Sequence, residues 1–225
     1  MNTVGSDSSS QSWFRSATCD ARYGAALIGV VALLLALSAT GAWGRQYLQY
    51  QRDALAHYQW WRLISAHLVH LGWRHALLNC GGLAALWALF AREFPARRWL
   101  WIVLLAAAAI DAGLWFLQPA VDWYVGASGV LHGIWAAGAC AMYRRGEALG
   151  AGLLLLLIVK LVYEQQSGAS LFEGDLPLVP AAHLLGALGG LVGAVLPGAA
   201  AKPLYSEPLF TYRAPASSNI ASGEV

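Results

Sequence analysis

Charge is scarce in this sequence. Of 225 residues only 14 are Lys or Arg and 12 are Asp or Glu, 12% in all, whereas soluble domains carry roughly 25%. A chain so short of charge cannot clothe a globular surface in polar groups, so most of its exterior faces lipid. Basic residues form no long run and the net charge is only +2, which argues against nucleic acid as a partner. Cysteine is scarce too. Three Cys without metal-type spacing give neither a disulfide framework nor a zinc knuckle, and Cys80 and Cys140 fall in apolar stretches where they pack.

What the chain has instead is apolar length, with 58% hydrophobic residues and a mean hydropathy of +0.52. Residues 1–24 are rich in Ser, Asp, Asn and Gln, so they read as a polar tail without a core. Six apolar stretches follow, at 25–43, 72–91, 99–117, 126–143, 148–163 and 178–197. Each is about 16 to 20 residues, the length that spans a hydrocarbon layer roughly 30 Å thick. Backbone groups in lipid must pair within their own segment, so these stretches are helices. The first stretch has some likeness to a signal peptide, but the polar region ahead of it is long, and six retained helices are expected. The fold class is therefore all-α: a polytopic six-helix membrane domain over 25–197, followed by a Pro-bearing tail over 198–225.

Orientation is read from Lys and Arg. With the amino terminus inside, Arg15, Arg22, Arg92, Arg97, Arg98, Arg144, Arg145, Lys202 and Arg213 lie on the inner side, leaving Arg45, Arg52, Arg62, Arg74 and Lys160 to outer segments and spans. Both termini are then cytoplasmic. The first outer loop, 44–71, is long enough to be structured. Tyr58, Trp60 and Trp61, with Trp43 at its edge, are ring types that settle at the headgroups.

In this topology spans two, four and six run the same way, so their first turns share one depth near the outer face. Span two opens with His75 and Asn79, spaced i and i+4 on one helical face. Span four opens with Gly126-Ala127-Ser128-Gly129, and span six with Pro180-Ala181-Ala182-His183. Polar groups there are costly unless they pair or line a wet cavity. Together they suit acyl transfer. Ser128 is a poor nucleophile until a base takes its proton, and a histidine such as His183 is a fitting base. The oxyanion of the tetrahedral intermediate needs donors already aimed at it, and His75, Asn79 and the Ser128 amide are the candidates. Gly126 and Gly129 remove bulk around the hydroxyl. No acid sits at this depth in spans two, four or six, so a Ser–His dyad is expected rather than a triad. Gly186-xxx-Gly190 on span six, answered by Gly129 and Gly133 on span four, has the spacing that lets two membrane helices approach closely.

In order and spacing these pieces resemble the rhomboid family of intramembrane serine proteases over roughly residues 58–197. The pieces are Trp61-Arg62, His70, His75-Ala-Leu-Leu-Asn79, Gly126-Ala-Ser-Gly129, and Ala182-His-Leu-Leu-Gly186 followed by Gly190. The resemblance implies Ser128 as nucleophile, His183 as base, and His75, Asn79 and the Ser128 amide as oxyanion hole. It implies that His70 organises the first loop and cavity entrance, and that span five with its following loop forms a lateral gate. One departure is informative: where these proteases commonly carry a tyrosine one turn after the serine, this chain has His132 in GASGVLHG. That pattern resembles the rhombosortase subgroup. Its substrates are thought to be exported proteins ending in a Gly-Gly motif, a hydrophobic helix and a basic cluster. The implied enzyme is a bacterial inner-membrane endopeptidase opening to the periplasmic side. It acts on transmembrane protein substrates within membrane lipid and needs no cofactor or metal.

Blander readings stand beside these. A serine in a membrane helix usually bonds its own backbone, and His75 and Asn79 can serve as helix glue. His67, His70 and His75 lack the nearby carboxylate or cysteine that a zinc site favours. Asp111 and Lys160 form an intramembrane ion pair, or Asp111 is neutral. Lys160 and Glu164, spaced i and i+4, are a second possible pair at the outer interface. Rival functions are a catalytically inactive relative that binds transmembrane helices, a bundle using His pairs for haem or metal, and a transferase in which a lipid amine takes the acyl group before water does.

Overall fold

The structure, a computed structural model, describes residues 21–169 and 179–196. Most of the expected 1–24 tail, all of the expected 198–225 tail, and most of the loop after span five lie outside the described residues. The elements in chain order are α1 (Ala21–Ala39), α2 (Gly41–Leu48), β1 (Tyr50–Gln51), α3 (Arg52–Ala56), α4 (Arg62–Ser65), α5 (Trp73–Phe90), α6 (Ala96–Phe116), β2 (Trp123–Tyr124), α7 (Ser128–Arg144), α8 (Ala148–Ser167) and α9 (Pro180–Val195). The described chain is mostly helical, and its six longest helices fall in the six apolar stretches.

Local chemistry explains several boundaries. Pro95 is extended ahead of α6, and Pro180 opens α9 at a position where a missing N–H costs nothing. At the end of α8, Gly168 adopts φ 67° and its N–H reaches the Glu164 carbonyl, the left-handed cap that glycine favours. The first apolar stretch does not run straight to residue 43. It stops at Ala39, and α2 departs at 104°. Trp43 therefore belongs to the loop region.

Ala96–Phe116 and Ala148–Ser167 are each long and apolar enough to cross a membrane, the bent pair Gly24–Ala39 and Gly41–Leu48 makes a third candidate, and Pro180–Val195 is apolar but shorter. In α5 and α7 the apolar run is interrupted by His75 and Asn79, and by Ser128 and His132.

At the centre lies α9, wedged between α6 and α7. Its glycines replace side chains with backbone contact on two faces. Gly186 and Gly190 rest on the main chain of Gly129 and Gly133 in α7. A Cβ at Gly189 would stand 2.5 Å from the Leu105 carbonyl, and one at Gly193 2.9 Å from Ile102 Cα, both in α6. Helix α8 packs on this centre through Leu157 and Leu161 against Ala136 and Ala187, while Leu155, Leu156, Ile158, Val159 and Val162 point outward. Leu34 of α1 meets Cys80 and Leu83 of α5.

The segment between α1 and α5 is structured, as its length suggested. Strand β1 pairs antiparallel with β2, Tyr50 opposite Tyr124 and Gln51 opposite Trp123. Arg52 reaches the Leu114, Trp115 and Gln118 carbonyls at the end of α6, at 2.5, 3.0 and 3.1 Å, and lies over the Trp115 ring. These bonds satisfy carbonyls that a helix end leaves orphaned and fix the loop beside the segment that leads into α7.

Candidate active site

Ser128 is the first residue of α7. The chain reaches it through Gly126, whose φ of 116° is one that side-chain-bearing residues rarely adopt. The turn is pinned from both sides: Gly126 N–H donates to the Ala66 carbonyl at 2.9 Å, and the Tyr124 hydroxyl donates to the Gly126 carbonyl at 2.9 Å. Amides in the first turn of a helix have no intrahelical acceptor, so the Ser128 N–H belongs to a positive helix end. His183 stands in the first turn of α9. Its Nε2 is 2.8 Å from Ser128 Oγ, with both residues buried.

The imidazole has a second partner that the sequence reasoning did not include. His183 Nδ1 lies 2.8 Å from Glu164 Oε2 of α8, and the other carboxylate oxygen meets Lys160 Nζ. An ionised carboxylate only accepts hydrogen bonds, so Nδ1 carries the proton and donates it; Nε2 then offers its lone pair to the Ser128 hydroxyl. The expected two-residue arrangement thus has a third member in line. Glu164 lies near the end of span five, outside the starts of spans two, four and six. The end of α8 and the start of α9 lie at one level because a single loop joins them, and that was the available signal. Lys160 and Glu164 do pair, and at 4% and 0% exposure the pair is buried within the protein. Asp111 lies apart from Lys160, 3.3 Å from His67.

His132, one turn into α7, packs on His183. Its ring stacks on His183 with centroids 4.0 Å apart and planes 15° apart, and its Nδ1 donates to the Ser128 carbonyl at 2.7 Å. His132, Glu164 and His183 bring potential metal-ligand atoms within 4.8 Å of one another. A metal, though, lies close to the plane of each imidazole that binds it, about 2.0–2.1 Å from the nitrogen. Two rings stacked in near-parallel planes do not meet that condition together, and Glu164 already faces His183 and Lys160.

The proposed oxyanion donors come from α5. Leu71 N–H reaches His75 Nδ1 at 3.5 Å, which leaves the His75 proton on Nε2. That nitrogen faces Gly126: a Cβ built there would stand 2.9 Å from it. Asn79 Nδ2 donates back to the His75 carbonyl at 2.9 Å and keeps its second hydrogen. Behind them, His70 packs edge-on to His75 at 5.0 Å, and its Nδ1 lies 3.2 Å from Ser38 Oγ. Burial, and then the neighbouring His75, push the His70 pKa down to about 3, so it is a neutral ring at ordinary pH. Arg62 is buried in the loop and donates to Gln59 Oε1 and to the Gln49 and Gln46 carbonyls at 2.8, 2.8 and 2.9 Å. Burial also lowers its pKa. Trp61 is half-exposed and donates to the Tyr47 carbonyl. Both residues hold the loop and do not touch Ser128 or His183. Gly129 sits in the α7–α9 seam, where a Cβ would be 2.9 Å from the Ala182 carbonyl.

A helical, apolar protein with a buried serine, histidine and carboxylate in hydrogen-bonded sequence has the constellation of a serine hydrolase inside a membrane fold. Comparison with known proteins carries this further. Residues 57–199 match the rhomboid domain, and the chain belongs to the rhomboid family. It is 25% identical over 138 residues to a Bacillus subtilis (strain 168) protein named "Putative rhomboid protease YdcA", covering 61% of this chain and 67% of that one. It is accordingly a membrane protein of an intramembrane protease family, whose members usually act on membrane proteins within the bilayer.

Proposed function

We propose that this protein is an intramembrane serine endopeptidase in which Ser128 is the nucleophile and His183 the general base. The observation that carries the reading is the 2.8 Å contact between Ser128 Oγ and His183 Nε2, made between two helices whose glycine seam holds them at backbone distance. His183 takes the hydroxyl proton as Oγ attacks the scissile carbonyl. The oxyanion is met by the Ser128 amide, His75 Nε2–H and the Asn79 amide. The imidazolium then returns its proton to the leaving amine, and an acyl-enzyme remains on Ser128. Water, deprotonated by the same imidazole, releases the new carboxyl terminus.

We further assign the substrates to exported proteins with a carboxyl-terminal Gly-Gly motif, hydrophobic helix and basic cluster. His132 supports this, because a histidine one turn after the serine is the mark that likens the chain to rhombosortases. Six membrane-crossing helices with cytoplasmic termini, in a bacterial inner membrane, complete the reading. The test is labelling of the full-length protein by a fluorophosphonate, together with co-expression of a protein bearing such a tail. Ser128→Ala and His183→Ala should each abolish labelling and processing; labelling that persists in Ser128→Ala refutes the assignment. Mass spectrometry of the product's carboxyl terminus distinguishes hydrolysis from transfer to a lipid amine.

A further inference from the structure

We propose that Glu164 is a positioning residue for this site, and that Lys160 keeps it in the charged form that positioning requires. The inference rests on the proposed protease reading and deepens it.

Three observations converge. Glu164 is fully buried, on a helix whose exposed positions from Leu155 to Val162 are all aliphatic. Its two oxygens are divided between two partners, Oε2 on His183 Nδ1 at 2.8 Å and Oε1 on Lys160 Nζ. And the buried stripe of α8 is Gly150, Leu157, Lys160, Leu161 and Glu164, so the only charged residues on that face are this pair. A charge buried without a partner shifts its protonation or unfolds its surroundings. With the ammonium in place the carboxylate stays ionised, and an ionised carboxylate fixes the His183 tautomer. The groups facing this unit are Lys160 on α8, His132 and Ser128 on α7, and His183 on α9; His75 of α5 lies against Gly126, two residues before the serine.

During the reaction the Ser128 proton moves to His183 Nε2, and the ring becomes an imidazolium whose Nδ1–H still points at Glu164. The carboxylate gains no proton. It stabilises the positive ring and holds it in line, and the proton later leaves from Nε2 to the amine.

The test uses the full chain in nanodiscs. Glu164→Gln places an amide opposite Nδ1 that can present N–H, which favours the tautomer with the proton on Nε2 and removes the base. The expected result is a fall in fluorophosphonate labelling of roughly 10²- to 10⁴-fold at neutral pH, by analogy with the carboxylate of soluble triads. The loss falls on kcat rather than KM with a cleavable substrate, and the pH profile of the remaining activity is altered. Glu164→Asp recovers part of the rate. Because Glu164→Gln removes the carboxylate opposite Lys160, Lys160→Met/Glu164→Gln provides a neutral pair that keeps the packing, and it should show the same loss of rate with wild-type thermal unfolding. In the wild type, proton NMR should show a strongly downfield Nδ1–H of His183 that is absent from both Gln variants. Wild-type rate and pH profile in the double variant, with labelling still lost in Ser128→Ala, overturn the role of Glu164 and leave the protease reading intact. Labelling retained in Ser128→Ala overturns the protease reading itself. A His183 spectrum unchanged in the Gln variants also overturns the positioning role.

Discussion

A single methyl at Gly133 should separate loss of activity from loss of fold. Gly133 lies one and a half turns beyond Ser128 on α7, touches no reacting group, and faces Gly186 of α9. A Cβ there would stand 2.7 Å from the Gly186 carbonyl oxygen and 2.6 Å from Ala106 Cβ. Both neighbours are held by helix backbone, so no side chain can swing away. Reaching the 3.4 Å of ordinary contact moves the helices apart by about 0.7 Å. Transmitted to Ser128 and His183, the same movement stretches their 2.8 Å bond to about 3.5 Å, the outer limit of a hydrogen bond. Overpacking of this kind costs about 1–3 kcal/mol, against which alanine returns about 1 kcal/mol of helix propensity. Misplacement of reacting groups near 1 Å costs about 10²-fold in rate. Gly133→Ala should therefore unfold only modestly below wild type while labelling about 100-fold more slowly. Gly152→Ala on α8, where a Cβ meets nothing within 4 Å, should label at the wild-type rate and unfold no lower than wild type, gaining the same helix propensity without the clash. A Gly133→Ala protein that labels at the wild-type rate would show that the seam does not set the Ser–His distance.

Asn79→Ala should lower turnover by about 10²-fold or more through loss of an oxyanion donor with little change in ground-state substrate affinity; equal effects on KM alone would remove Asn79 from that role. Arg62→Ala strips two main-chain carbonyls and Gln59 of a charged donor and should cost about 3 kcal/mol or more in unfolding experiments, with Arg62→Lys recovering only part because one ammonium does not span the three acceptors. His70 stays neutral down to about pH 3 in the fold but titrates near 6.5 when unfolded. The unfolded chain therefore takes up the proton first, and the stability from the neutral ring is complete above about pH 6.5 and drains by about 1 kcal/mol or more per unit down to about pH 3. His70→Gln should flatten that portion of a stability-versus-pH curve, and an unchanged slope would contradict the assignment.

Much of this arrangement was legible because backbone constraint leaves marks in sequence. Gly126 is required by a φ of 116°, Gly186 and Gly190 by main chain lying against main chain, and His75 and Asn79 share a face because they are four residues apart. Helix ends were less legible. The break after Ala39 is a turn of 104° at which Gly41 adopts φ 63°, and Ser38, Thr40 and Gly41 are only a brief interruption of the apolar run. The start of α7 at Ser128 rather than Gly126 follows from the Tyr124 and Ala66 bonds that hold Gly126 outside the helix, the second of which joins positions far apart in sequence.

Glu164 was hidden for a different reason. In a soluble chain an i, i+4 Lys–Glu pair is a surface feature worth a few tenths of a kcal/mol, and in a membrane helix the same pair at a span's end reads as interfacial. What distinguishes this pair is the remainder of its helix. Leu155, Leu156, Ile158, Val159 and Val162 already occupy the outward positions, so at 3.6 residues per turn Lys160 and Glu164 are left on the inward stripe with Leu157 and Leu161. A charge pair on the stripe that faces the protein, near the end of a helix whose successor carries a histidine in its first turn, has that imidazole within hydrogen-bond reach. The imidazole of His183 requires an acceptor at Nδ1 if Nε2 is to serve Ser128, and the last inward-facing turn of α8 supplies one.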